Sequence, residues 1–252
     1  MPQERVVLSR EKLAGAVGDR WSDEELNEAV ALLTRTNGRF PAGVRTLPPE
    51  LVKAIQRERL LAAMMSTVTE IGYRALTVQD VLSRAGVSRP TFYEQFDDKE
   101  DCFLAVFEAS AAQLRERLEA AVAGAAGSDW RGRLRAGIRE LVQFVAEEPE
   151  AARVLIVEGR ASSPEGLRRR DELLDGVASR IDGLVRGELA EPPSALTAAG
   201  VVGGVESVLY ARLQTGNTGE LDSLVASLIY FVVLAYAGHE AAAGELNGTA
   251  LG

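Results

Sequence analysis

Ser88, Arg89 and Thr91 bring two hydroxyls and a guanidinium into four consecutive positions, a donor set suited to the edges of nucleic-acid bases. A guanidinium can place two parallel N–H groups on O6 and N7 of guanine, which discriminates against the wrong base by ~1–3 kcal/mol. So short a set needs a rigid mount, and its flanks provide one. Thr77 is a good N-cap and Asp80, three residues on, completes a capping-box pair. Val78, Val81 and Leu82 then share one face of a short helix. Ala85-Gly86-Val87-Ser88 is the turn: Gly86 accepts the left-handed conformation of a sharp corner, Val87 plugs it and Ser88 caps the next helix. Pro90 falls in that helix's first turn, where a missing N–H costs nothing. Phe92 and Phe96, at i and i+4, point to the core, and Arg89, Thr91, Tyr93 and Gln95 face elsewhere. A helix of about seven residues is ~10 Å long, and the major groove is roughly 12 Å wide. The segment reads as a helix-turn-helix for double-stranded DNA, with Thr77 and the N–H groups at its helix start placed on phosphate.

Thr-Val-x-Asp-Val (77–81), Ala-Gly-Val-Ser (85–88), Thr-Phe-Tyr-x-x-Phe (91–96) and Asp-Lys-Glu (98–100) resemble, in order and spacing, the DNA-binding module of the TetR family of bacterial transcriptional regulators. The resemblance spans roughly residues 52–107. It implies phosphate contacts from Tyr93 and Lys99, with core packing the alternative for Tyr93. An ion pair with Asp97, Asp98, Glu100 or Asp101 is the alternative for Lys99. It also implies a helical effector and dimerisation domain, and a homodimeric repressor, or less typically an activator, released from a near-palindromic operator by a small molecule.

The chain's 252 residues carry a net charge of −9, which argues against nucleic acid until its distribution is considered. Residues 31–96 hold nine basic and five acidic groups, net +4, which leaves −13 on the rest. A basic head on an acidic body can bind phosphate while the body limits non-specific adhesion. Alanine, leucine, glutamate and arginine dominate and aromatics are few, so the expected fold is all-α. One cysteine rules out an internal disulfide and suits a reducing cytoplasm, and one cysteine with one histidine argues against a zinc site. No charged segment followed by an apolar core marks a signal peptide. Neither a metal nor a cofactor is expected.

Three regions are expected: an extension over 1–47, the helix-turn-helix domain over 48–97 and a helical effector-binding and dimerisation domain over 98–252. Ser22 to Glu25 is a capping box and Leu26, Ala29, Val30 and Leu33 form a stripe, which predicts a helix at about 23–36 stopped by Asn37-Gly38. This helix is expected on its own reading head or on a partner chain. A weaker helix is expected near 10–17. Residues 39–45, ending in Arg45, are basic and extended: an arm to phosphates or the minor groove, or else a surface linker. The first helix of the head spans 48–71, with Leu61, Met64, Met65, Val68 and Ile71 as its apolar stripe, Arg57 and Arg59 on the solvent side and Gly72 at its end. Further helices are expected at 98–123, 129–146, 149–160, 164–189, 194–214 and 219–242.

Residues 224–237 are apolar around the whole circumference yet shorter than the about twenty residues of a membrane span. Such a helix is expected to be buried on all sides. Gly200, Gly203, Gly204 and Ser207 on the preceding helix permit close approach, and the two helices resemble the family's dimerisation pair, with no membrane partner. By the same resemblance 98–189 enclose an effector cavity. Phe144, Ile156, Val157, Val177 and Ile181 are candidate lining, with ordinary core as the alternative. Gly132, Gly137, Gly159, Gly176 and Gly183 within helical segments leave room for a ligand or else permit close packing, and Arg160, Arg168, Arg169 and Arg170 are candidate anion partners or a solvated run. Cys102 is either a redox switch or a small buried apolar residue. An enzyme is disfavoured, because there is no nucleophile–base set, phosphate loop or metal cluster. A regulator without an effector would show a tightly packed body with no cavity.

Overall fold

The computed structural model describes residues 14, 21–35, 47–189, 193–216 and 221–248. Every element among them is helical. The chain divides into two compact units, residues 1–107 and 108–252, and the division falls inside one long helix.

In the first unit α1 (Asp23–Arg35) opens on its capping box: Ser22 N–H and Oγ both donate to Glu25 Oε2 at 2.8 Å, and Glu25 N–H donates back to Ser22 Oγ at 3.3 Å. Leu26 and Ala29 cluster with Leu47 and with Leu51 and Ile55 of α2 (Pro49–Ile71). The extension helix therefore packs on its own chain's head. The segment 39–45 with Arg45, the Asn37-Gly38 stop and, apart from Ala14, the weaker helix near 10–17 lie outside the described residues.

α2 ends at Gly72, whose φ of 80° is open only to a residue without a Cβ penalty. Its buried face differs from the expected stripe. Leu51, Ile55, Leu60, Met64 and Val68 are buried, Leu61 and Met65 are half-buried and Ile71 is 41 % exposed. Both α1 and α3 (Val78–Ala85) pack on α2, so its contact face is turned about one residue from the stripe read in sequence, which carries Arg59 inward. Gly86 makes the left-handed corner at φ 63°, ψ 33°. The next helix, α4 (Arg89–Tyr93), is five residues long, shorter than expected. Its chain closes at once because Gln95 and Phe96 N–H both donate to Phe92 O at 2.9 Å. Phe92 and Phe96 are buried, as their spacing predicts. α5 (Lys99–Gly124) adds Cys102, Phe103, Val106 and Phe107 to this core, with the Phe103 and Tyr73 rings 4.8 Å apart.

The second unit takes the rest of α5, then α6 (Trp130–Glu147) and α7 (149–161). α8 (Pro164–Arg186), α9 (Ala195–Thr215) and α10 (Leu224–Gly248) complete it. α7 is not uniform: its middle, Val154–Glu158, is π-helical. α8 packs on α9, and α10 on both α6 and α9. Glu108–Arg169 at 3.1 Å and Glu119–Arg180 at 3.0 Å join α5 to α8 at the same spacing on both helices, so the two run parallel.

α10 departs from expectation twice. A 3-10 turn, Leu221–Ser223, precedes it, and Gly238 (φ 80°, ψ 176°) breaks its helical geometry. Nor is it buried all round within the chain: Phe231 is 40 % and Leu234 37 % exposed. On α9 Val208 is exposed and Gly200 and Gly203 face open space, whereas a Cβ on Gly204 would meet the Phe231 ring at 2.9 Å. Gly204 thus serves close approach inside the chain. By length and composition alone Leu196–Thr215 and Leu224–Leu246 would each suffice to cross a membrane, a longer apolar reach than 224–237. Each also buries one face in the packing of its own unit.

Leu26→Ala removes a buried side chain from the seam between α1 and α2, at a cost of about 2–3 kcal/mol in the docking of α1. Faster amide exchange across 22–35 with unchanged exchange in 130–186 is the expected result. Unchanged protection of α1 would show that this seam does not hold it.

Candidate nucleic-acid interface and ligand cavity

The two caps of the reading head are formed as its residue types demand. Thr77 Oγ1 accepts from Asp80 N–H at 3.3 Å, and Asp80 Oδ2 accepts from Thr77 N–H at 2.9 Å and from its hydroxyl at 2.6 Å. Those hydrogen bonds hold the Asp80 carboxyl below its ordinary value. The folded state thus binds this proton less readily than the unfolded chain. The cap's contribution is full above the ordinary aspartate range and is lost as pH falls through the depressed value. At the second cap Ser88 Oγ accepts from Thr91 N–H at 3.3 Å and lies 2.8 Å from Thr91 Oγ1.

Thr77, Ser88, Arg89, Pro90 and Tyr93 are exposed, and Thr91 is half-buried. Thr77 caps α3, Ser88 caps α4 and Arg89, Pro90 and Thr91 form its first turn, while Tyr93 is its last residue. Tyr93 stands edge-on to Phe92 at 5.3 Å with half its surface open to solvent, so core packing is not its role. Arg89 Nη2 donates to Gln79 Oε1 at 3.2 Å. Gln79 was not singled out by its sequence, since an exposed glutamine on a helix carries no pattern of its own.

The cations divide in a way that sequence did not show. Arg59, expected on the solvent side, is 1 % exposed and donates to the Ala85 carbonyl at the end of α3. Arg57 is half-buried; its Nη1 donates to Gln95 O at 3.3 Å, and its guanidinium lies 4.5 Å from the centre of the Phe96 ring. Lys99 Nζ donates to Tyr73 O at 3.1 Å and Leu76 O at 3.0 Å and sits 4.3 Å from the Tyr73 ring centre. The lysine thus spans the α2–α3 connection, using two of its three ammonium donors. Arg84 is tied to Glu70 and, at 3.0 Å, to Ser66 Oγ of α2. Cys102 is fully buried, and burial pushes its thiol up to about 12, which removes the thiolate that redox chemistry needs.

The second unit contains a cavity of about 500 Å³ between α5, α6, α7, α8 and α9, with Val232 of α10 also in its lining. Leu118 and Val122 of α5, Ile138 and Leu141 of α6, Leu174 of α8 and Val201 of α9 characterise its aliphatic wall. Ile156, Val177 and Ile181 line it as expected. Phe144 and Val157 do not: both are buried in the packing around it, Phe144 with the Arg117 guanidinium 5.6 Å from its ring centre. Gly137 and Gly183 open space in the wall. Of the four arginines considered, Arg170 reaches the lining, where it and Arg160 bracket the buried Glu206 at 2.9 Å. Arg168 and Arg169 pair with Glu165 instead, and the two arginines pull that carboxyl down to about 2. Leu114, Leu118, Val122 and Leu173 were missed, although the i, i+4 row 114–118–122 and the row that Leu173 forms with Val177 and Ile181 carried the signal.

Residues 60–106 match the family described as bacterial regulatory proteins, tetR family, so the reading head is a tetR-family module. The chain is 27 % identical over 131 residues to the HTH-type transcriptional activator FasR of Mycolicibacterium smegmatis, an alignment covering 52 % of this chain and 59 % of that protein. It is 27 % identical over 127 residues to the fatty acid metabolism regulator protein of Bacillus subtilis, covering 50 % of this chain and 64 % of that one. The chain therefore spans about six-tenths of the length of the curated relatives it matches. Its fold is shared with a crystal structure of the transcriptional regulator FadR from Bacillus subtilis in complex with stearoyl-CoA, at a TM-score of 0.62 and 23 % identity over 71 % of this chain and 97 % of that one.

Native protein should leave Cys102 unmodified by a thiol-specific reagent at pH 8 and yield one equivalent after unfolding; modification of the native state would show that the thiol is reachable. Arg59→Met should lower head stability by about 1–3 kcal/mol by leaving a buried carbonyl without its donor, read as a fall in denaturation midpoint. A midpoint equal to wild type would remove Arg59 from this role.

Proposed function

We propose that the chain, built on a tetR-family reading head, is a sequence-specific DNA-binding transcriptional regulator of the bacterial cytoplasm whose second unit binds a long-chain acyl ligand. The observation that carries the ligand-responsive reading is the aliphatic cavity of about 500 Å³. A regulator without an effector has no use for so large an apolar void, since unfilled apolar space costs packing energy.

The wall favours a long hydrocarbon tail over a compact polar molecule. Its lining on α8 runs from Arg170 to Leu184, about 21 Å at 1.5 Å per residue, so the space is elongated. Each methylene buried there contributes ~0.8 kcal/mol. Exposed charged pairs such as Glu119–Arg180 stand at its rim, where the polar head of an amphipathic ligand would remain in water. Stearoyl-CoA in the similarly folded regulator supports the same class, and the acyl-CoA thioester is the form we place first.

Ser88, Arg89 and Thr91 read base edges, with Arg89 on a guanine; Thr77, Tyr93 and the remaining donor of Lys99 contact phosphate, and Pro90 starts the reading helix. Arg45 joins them if 39–45 serves as an arm. Two chains pair through α9 and α10, covering Val208, Phe231 and Leu234 with the small residues Gly200, Gly203 and Ser207 beside them. That pairing, rather than a membrane, completes the burial of these helices, and it makes the operator near-palindromic. The ligand acts by selecting a head-to-head spacing that no longer fits the operator, which needs a coupling of only ~1–3 kcal/mol. Repression relieved by ligand is the mode we place first, and transcription from a promoter carrying the selected operator decides the sign.

Selection from a random duplex library with the full chain should return a near-palindromic consensus. Stearoyl-CoA should shift the affinity for it by roughly 5- to 150-fold, and free stearate and CoA alone serve as separate arms. Ile181→Trp, which fills the cavity, should abolish the shift and leave ligand-free DNA binding intact. Failure to enrich any sequence would overturn the DNA-reading assignment. An enriched operator indifferent to every acyl arm would overturn the ligand.

A further inference from the structure

Gln79 lies in the first turn of α3, exposed, and its amide joins its own helix to the recognition helix. Its Oε1 accepts from Arg89 Nη2 at 3.2 Å, while its Nε2 donates to Ser83 Oγ at 3.3 Å. The Ser83 hydroxyl donates its single proton to the backbone carbonyl of Gln79 at 2.8 Å. That leaves the Ser83 oxygen as an acceptor only, so it must take the amide N–H. The amide can then face in one sense alone, with its carbonyl oxygen toward Arg89. The chain Ser83–Gln79–Arg89 is closed at its far end by a backbone group, and at its near end it holds a guanidinium that otherwise stands free at the tip of a flexible side chain.

We propose that Gln79 is a positioning residue for Arg89, setting the plane of the guanidinium before the operator arrives and so sharpening base discrimination at the one operator position Arg89 reads. The inference rests on the assignment of Arg89 to a base. The chemistry fits this role, because guanidinium has five N–H donors, of which the amide engages one, and two parallel donors suffice for O6 and N7 of guanine. A neutral acceptor orients the group without cancelling its charge, whereas a carboxylate would compete with the base for it. Ordering a long side chain in advance removes an entropy cost that would otherwise fall on binding, worth about three- to tenfold in affinity for one side chain. Because both partners are exposed and neither contributes to the core, their loss leaves the fold intact.

The test uses the full chain and the operator selected with it, measuring affinity for the consensus and for each single base-pair change. Arg89→Ala identifies the base pair at which discrimination collapses. Gln79→Met, which keeps the side chain's length but removes its acceptor, should lower discrimination at that same base pair by about three- to tenfold. Ser83→Ala should lower it less, in the same direction. All other positions, the salt dependence and the denaturation midpoint should match wild type, and Gln79→Met with Arg89→Ala should equal Arg89→Ala alone. Full discrimination in Gln79→Met, beside a clear loss in Arg89→Ala, would overturn the positioning role while the reading of Arg89 stands. A loss at a different base pair would also overturn it, since Gln79 would then be reading a base itself. No loss at any position in Arg89→Ala would overturn the assignment of Arg89, and this inference with it.

Discussion

The geometry of the reading head depends on a buried guanidinium. The last carbonyls of a helix have no partner within it, and α3 ends inside the head, against α2, where water cannot serve all of them. Arg59 reaches from the middle of α2 to the carbonyl of Ala85, the last residue of α3, beside the left-handed corner at Gly86. A buried cation is expensive unless its hydrogen bonds are well placed, so its position constrains both helices at once. With the end of α3 held, the turn, the cap at Ser88 and the short α4 follow as a rigid sequel. A helix of five residues has almost no stability of its own. It exists because Phe92 and Phe96 are anchored in the core beneath it.

Arg57 and Lys99 extend the same principle to the other corners. One reaches the carbonyl of Gln95 after the recognition helix, and the other bridges the carbonyls of Tyr73 and Leu76 before the capping box. Part of the positive charge of the head is therefore internal scaffolding. Of the nine basic groups over 31–96, Arg57 and Arg59 are directed to carbonyls within the head. The body uses charge differently. Arg169 and Arg180 tie α8 to α5 beside the cavity, and Glu206 is held between Arg160 and Arg170 at its wall, so ion pairs join the helices whose separation leaves the void.

The helix class, the capping boxes at Ser22 and Thr77, the left-handed Gly86, the inward pair Phe92 and Phe96 and most helix positions were legible in the chain. Each depends on interactions between residues no more than about four positions apart, where side-chain size and hydrogen-bonding capacity decide the outcome. The tetR-family module was legible for the same reason, because its signature is a run of such local devices in fixed order. Ile156, Val177 and Ile181 could be named as lining because apolar periodicity marks an inward face, though it does not say whether that face meets another side chain or a void.

Tertiary packing decided the rest. α1 and α3 close on α2 from directions that its own sequence does not encode, which turned its buried face and took Arg59 from solvent into the core. The path of the chain around α3 brought Lys99 to two carbonyls more than twenty residues away and Arg89 to Gln79. Phe144 and Val157 satisfy the same hydrophobic pattern as the true lining residues, yet their helices turn them into packed core. The void itself arises from the separation of helices far apart in sequence. Composition sets which residues avoid water, but only the assembled helices determine where atoms fail to meet.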